Sequence, residues 1–301
     1  MKKILILFLL LSQFAFAQNV KVLSVEKVAG TENGGYYYPV ISPNNDYLLL
    51  TKANYQGLSK FTFDNKKIEV LNDDLGAGYD AKISADGSKV LYNKVTLVNK
   101  RRHNSLVTQN VIDKNKNVIE APSRSKISAD IINDRPVYVK DGKMIAERSA
   151  TRSASDNYII TIEDRKMVLY RNGQKTTLTP NGANESYIWP SISPDKKNLV
   201  YTVAGKGTFV STIDGGSPIA LGNLRAPKWV NNNLIVGMND IDDGEKLISS
   251  QLVVSSKDAK MRKNLETPQV NAMYPAPSAD GKKIAFNSEE GQVYIMNVEI
   301  Q

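Results

Sequence analysis

Along the chain, short apolar runs of strand length alternate with clusters of Pro, Asp, Asn and Gly, and no capped run carries a helical apolar stripe. One unit returns. It reads "YYYPVISPNNDYLLLT" around Ser42, "YDAKISADGSKVLYN" around Ser84, "WPSISPDKKNLVYTV" around Ser193 and "YPAPSADGKKIAFNS" around Ser278. Three positions before the Ser stands Pro39, Pro190 or Pro275, with Ala81 in the second copy; after it come Pro or Ala, then Asp or Asn. Pro presets the backbone, Asp bonds its own main chain and Gly accepts positive φ, so each copy predicts a strand, a tight turn and a second strand. A further hairpin signal follows in "FTFDNKKIEVL", "QNVIDKNKNVIEA", "MVLYRNGQKTTLT" and "TFVSTIDGGSPIAL".

Four antiparallel strands in about 40 residues, repeated, predict an all-β chain folded as a β-propeller. The stretch "APKWVNNNLIVGM" is a degenerate copy in which Val230-Asn231-Asn232 replaces the Ser-Pro-Asp frame. The wide gap between Ser84 and Ser193 fits a regular second blade plus one irregular third, for which Ser128 and Ala154 compete as anchor. The expectation is six four-stranded blades, with seven as the alternative. The last copy ends at its third strand, "GQVYIMNVEIQ", whereas "NVKVLSVEKV" precedes the first copy as a spare strand. Pairing the two closes the ring and removes two exposed edges.

The N-terminus changes the picture of where the chain acts. Met1-Lys2-Lys3, an apolar stretch from Ile4 to Leu11 and the small-residue pair Ala15 and Ala17 have the layout of a secretory signal cleaved after Ala17. Residues 1–17 are therefore expected to be a signal peptide and 18–301 one propeller domain, exported to the periplasm or secreted beyond it. No later segment is apolar enough to span a bilayer. The chain has no Cys, which excludes a lipid anchor at the cleavage point and leaves the fold to its own core. Its charge, 39 Lys+Arg against 31 Asp+Glu, is spread along the sequence and does not form a nucleic-acid footprint.

The unit "WPSISPDKKNLVYTVAGKGTFVSTIDGGSPIAL" and its echo "YPAPSADGKKIAFNSEEGQVYIMNV" resemble the WD40-like repeats of the TolB-type β-propeller, an exported protein-interaction fold of the bacterial envelope. The resemblance runs from Tyr36 to about Val298 and covers a propeller alone. The expectation is a non-catalytic protein- or peptide-binding module of the cell envelope, monomeric and without a cofactor. A small-ligand or glycan-binding propeller is the alternative, and a carboxylate-dependent carbohydrate enzyme a more distant one.

In such a ring, the loops entering the first strand of each blade and those joining second to third strands open on one face. The first set ends in Tyr37-Tyr38, Tyr79-Asp80, Ile188-Trp189, Arg225-Ala226 and Met273-Tyr274. Repeat register thus places Tyr37, Tyr38, Tyr79, Asp80, Trp189, Arg225 and Tyr274 around the channel mouth, a composition suited to a binding hot spot, although propeller aromatics also pack between blades. The basic loop "NKRRHNS" offers Arg101 and Arg102 as anion contacts. "NDIDDGEK" offers Asp240, Asp242 and Asp243 as weak calcium ligands, since it lacks the spacing of an EF-hand and reads better as a solvated turn. Enzymatic chemistry is thinly supplied: no thiol, no nucleophile elbow and a single histidine, His103, too few for a multi-histidine metal site.

Overall fold

The computed structural model describes residues 19–32, 34–146 and 157–301; the expected signal segment and Ala154 lie outside them. The described residues form seven antiparallel sheets. Blade 1 comprises Tyr37–Ile41, Tyr47–Thr51, Leu58–Thr62 and Lys67–Asn72. Blade 2 comprises Lys82–Ile83, Lys89–Val98, Arg101–Asn110 and Lys116–Ser123. Blades 3 and 4 have three strands each among the described residues: Ile127–Ile132, Arg135–Lys140 and Lys143–Ala146, then Tyr158–Glu163, Lys166–Arg171 and Gln174–Leu178. Blade 5 runs through Tyr187–Ile192, Asn198–Val203, Gly207–Thr212 and Ile219–Gly222, and blade 6 through Arg225–Trp229, Leu234–Asp242, Leu247–Ser256 and Arg262–Asn264. Blade 7 joins Ala272–Pro277, Lys283–Ser288 and Val293–Ile300 to Val20–Ala29 from the other end of the chain, so the expected closure is present.

The blade count is seven, which corrects the expectation of six. The region expected to be one irregular blade contains two sheets. Each turns between its first two strands on a two-residue connection with positive φ, Asn133-Asp134 or Asp164-Arg165. Such turns need no Ser-Pro-Asp frame. Ser128 is therefore no anchor; it lies inside the first strand of blade 3 and shares a 2.7 Å hydroxyl contact with Thr161 of blade 4.

The repeated phrase itself is turn architecture. Ser42, Ser84, Ser193 and Ser278 are all buried. Their Oγ atoms accept from the N–H of Tyr47 at 3.1 Å, and of Lys89, Asn198 and Lys283 at 2.9 Å. The last three hydroxyls donate to Asp86, Asp195 and Asp280, each at 2.6 Å. The turns also meet across blades: Asn45 Nδ2 donates to Asp280 at 3.2 Å, and the Ala85 N–H to Asp134 at 3.0 Å.

The core is divided among the interfaces. Seven apolar clusters are present, each drawn mainly from two neighbouring blades, such as Leu49, Leu58 and Leu71 against Val90, Tyr92 and Val107. Second strands are therefore apolar on both sides; Leu48, Leu49 and Leu50 are all buried.

Ser193→Ala leaves the Asn198 N–H without its acceptor, while the Lys197 N–H keeps Asp195 Oδ1, and should cost about 1–3 kcal/mol in denaturant unfolding. The Ser84 hydroxyl holds the Asp86 carboxyl down to about 2, and the Ser193 hydroxyl likewise lowers Asp195. Both folded values lie below the unfolded one. The stabilisation is thus complete above about pH 4 and should disappear as pH falls towards 2, a decline readable by acid unfolding.

Candidate functional site: the channel mouth

One backbone feature recurs at the mouth. Tyr38, Asp80, Trp189, Ala226 and Tyr274 have φ of 50°, 53°, 51°, 47° and 51°. Each stands four positions before its blade's turn anchor, and in four blades a proline follows. The strand register slips there in four of these blades, between Tyr37 and Val40, Ile188 and Ser191, Arg225 and Lys228, and Met273 and Ala276. A bulge of this kind re-aims a side chain, and a left-handed non-glycine residue costs about 1–3 kcal/mol unless its surroundings hold it. The neighbouring blade supplies the hold: the Tyr38 N–H donates to Asn287 Oδ1 at 3.0 Å, and the Tyr274 N–H to Met238 Sδ at 3.0 Å. Blades 3 and 4 pair without such a slip.

Three of the expected aromatics meet in an arc with a fourth. Tyr274 and Tyr38 have ring centroids 4.5 Å apart, Tyr38 stacks on Tyr55 at 4.5 Å, and Tyr55 meets Tyr79 edge-on at 5.2 Å. Tyr55 was missed as a named residue. It ends the short helical turn Ala53–Tyr55 in the "KANYQG" loop, which joins the second and third strands of blade 1 and so opens on this face. Burial, and after it the Tyr55 hydroxyl, pushes Tyr38 up to about 12; burial and then Tyr38 do the same to Tyr274. Tyr79 stays 54 % exposed and Trp189, outside the arc, 40 %. Tyr37 belongs to blade packing: a Cβ on Gly291 would lie 2.7 Å from its ring.

Asp80 and Arg225 are engaged. Asp80 Oδ1 pairs with Lys82 Nζ at 2.6 Å. Arg225 bridges the buried Asp240 at 3.0 Å and Asp242 at 3.2 Å. Asp243 instead caps its own turn, accepting from the N–H of Glu245 at 2.9 Å and Lys246 at 2.7 Å. The acidic stretch is thus divided between an arginine pair and a turn, and among the described residues no group of three or more His, Cys, Asp or Glu is placed to hold a metal.

Below the mouth the wall is charged in a way the sequence reading did not anticipate. Lys82 and Lys228 each stand two positions before a turn anchor, and blade register would have aligned them. Protein lies around both ammonium groups, yet Lys228 is exposed and Lys82 keeps 30 % of its side-chain exposure, so water reaches them along the channel. Burial lowers Lys228, and Lys82 beside it adds to the effect. Burial acts on Lys82 too, but Asp80 and Asp130 outweigh it and raise its value. Burial raises Asp130.

Arg101 and Arg102 stand on a strand, not in a loop, which corrects the expected basic loop. Only Asn99 and Lys100, both with positive φ, form the turn of a hairpin whose strands have ten residues each. Arg102 Nε donates to Asn104 Oδ1 at 2.9 Å, while Arg101, His103 and Arg124 line a shallow pocket with Val98 and Asn99.

No protein-family model matches the sequence, and no curated protein matches it. Solved structures do resemble it. TolB from Acinetobacter baumannii has 16 % identity and a TM-score of 0.53, covering 80 % of this chain and 56 % of its own. The Cps50 (Swd1) β-propeller domain of Myceliophteria thermophila has 8 % identity and a TM-score of 0.56, covering 93 % and 100 %. An oligogalacturonate lyase in complex with manganese has 14 % identity and a TM-score of 0.51, covering 89 % and 78 %. The likeness is one of fold. It supports a β-propeller and assigns no activity.

A spectrophotometric titration should find two tyrosines, Tyr38 and Tyr274, ionising near 12. Their folded values lie above the ordinary phenol value near 10, so their neutral forms favour the fold. Stability should fall as pH rises from about 10 towards 12, and less steeply in Tyr38→Phe.

Proposed function

We propose that this chain is an exported, non-catalytic propeller of the TolB-type repeat that binds a protein or peptide of the cell envelope through its channel mouth, with the periplasm as its place of action. The observation that carries this reading is the bulged ring. Mouth residues of five blades are held in a left-handed backbone, the tyrosines Tyr274, Tyr38, Tyr55 and Tyr79 form one arc, and Trp189 is exposed outside it. Strained positions concentrate where a ligand is met, and rigid aromatics with a polar tip suit contact with a protein. The non-catalytic part of the reading draws support from the imidazole inventory. His103, the one histidine, lies on the hairpin of blade 2 and not in the channel.

The neighbouring pair Lys82 and Lys228 favours one second reading, a small anionic ligand such as an acidic sugar held in the channel. The lyase among the structural neighbours gives that reading a precedent in fold only.

Crosslinking capture from intact cells separates the two. Trp189→Ala and Tyr79→Ala should each weaken capture of a defined envelope partner by about tenfold, with melting temperature changed only modestly, because both side chains are exposed. Arg225→Ala serves as the contrast: it strips the buried Asp240 of its cation and should unfold early. Capture that ignores Trp189 and Tyr79 but fails on Lys228→Ala would replace the protein-binding reading with the anionic-ligand one. Export is checked by fractionation, where the mature chain should begin at Gln18.

A further inference from the structure

Among the described residues, blade 4 ends one strand short. Its outer strand Gln174–Leu178 is exposed from Gln174 to Thr177, and among the described residues no strand pairs with its outer side. The preceding turn decides which backbone groups face outward. Asn172 and Gly173, with φ of 51° and 85°, form a two-residue connection, so Arg171 and Gln174 are the pair that exchanges both ladder hydrogen bonds. Alternation along the register Tyr170 to Lys175, Leu169 to Thr176 and Val168 to Thr177 then turns the N–H and C=O of Lys175 and Thr177 away from the sheet. Among the described residues these four groups have no hydrogen-bond partner.

Natural edges are guarded by proline, by a bulge or by a protruding charge. This edge has neither proline nor register slip. Its one lysine does not guard it, because Lys175 Nζ is drawn across the sheet face to Glu163 Oε2 at 2.7 Å, above the Tyr170 ring. The ring itself shows what fits the position. Five blades carry a fourth strand, and in blade 7 that strand comes from the far end of the chain, Val20–Ala29 lying against Val293–Ile300. The outer position therefore accepts a strand that does not follow its blade in sequence.

We propose that the outer edge of blade 4 is a strand-addition site, which takes an extended segment of a partner protein through the main chain of Lys175 and Thr177. Thr176 and Thr177 favour β-branched residues opposite them, so the segment recognised is an uncharged one of alternating Thr, Val or Ile character. The site is separate from the mouth and does not depend on it.

The test uses the full-length protein and a phage-displayed library of alternating Thr/Val decapeptides. In the free protein the amides of Lys175 and Thr177 should exchange quickly, and a selected peptide should protect both. Thr177→Pro removes one outward N–H and leaves the inward ladder intact, a substitution that edge strands tolerate. It should weaken the peptide by about tenfold or more, whereas Trp189→Ala should leave it unchanged. Protection of these two amides in the free protein would mean that the chain already covers the edge, and would overturn the proposal. So would a library that yields no peptide protecting them, or binding lost on Trp189→Ala instead. Should Thr177→Pro fail to fold, the protection pattern in the unmodified protein still decides the matter.

Discussion

Every blade of this ring is a sheet with two apolar faces, and such a sheet can stay folded in water only between two others. The seven clusters make the dependence explicit, since each draws its residues mainly from both sides of one interface. No blade has a core of its own. Removal of one interface exposes the faces of two blades, so the ring stands or falls at its seam. The seam is the strand Val20–Ala29, which completes blade 7 and sends Val20 into the cluster between blades 6 and 7. Full burial of that one valine contributes about 1.5–3 kcal/mol, before the ladder of backbone bonds is counted.

Closure also sets the mouth. A left-handed tyrosine is unfavourable in isolation, and the acceptors that hold Tyr38 and Tyr274 belong to the preceding blade. The mouth geometry is therefore a property of the interfaces, not of the loops that carry it. This links packing to recognition: the interactions that keep the sheets together also fix the directions of the aromatic rings, and so reduce the conformational entropy lost when a partner binds.

Legibility in the sequence followed the range of the interactions. The Ser-Pro-Asp turns are local, with donors and acceptors within five residues of each other, and they fixed strands, turns and register in four blades. Blades 3 and 4 escaped separation because their two-residue turns carry no such mark and their strands are short enough to resemble one irregular unit. The equivalence of Tyr38, Asp80, Trp189, Ala226 and Tyr274 was legible through that register. Their surroundings were not. Arg225 reads as a free mouth residue because its partners Asp240 and Asp242 reach it through strand pairing, and Lys82 and Lys228 carry no mark in the sequence because they come together only once the ring is closed.

A ring of near-equal blades poses a problem for any partner on its axis, since seven rotational settings would offer almost the same contacts. Here the departures from symmetry fall in one sector. Blades 3 and 4 lack the bulge at the mouth, and among the described residues they also lack the fourth strand at the perimeter. The tyrosines gather elsewhere, on the arc from blade 7 through blade 1 to blade 2. A ligand that covers the mouth thus meets the tyrosine arc in one sector and regular strand ends in blades 3 and 4, which leaves one setting favoured. The same two shortened blades place the open edge of Gln174–Leu178 on the side of the ring away from the aromatic arc. An axial partner and an added strand can therefore occupy the propeller together, because they use different groups: side chains at the mouth and main chain at the rim.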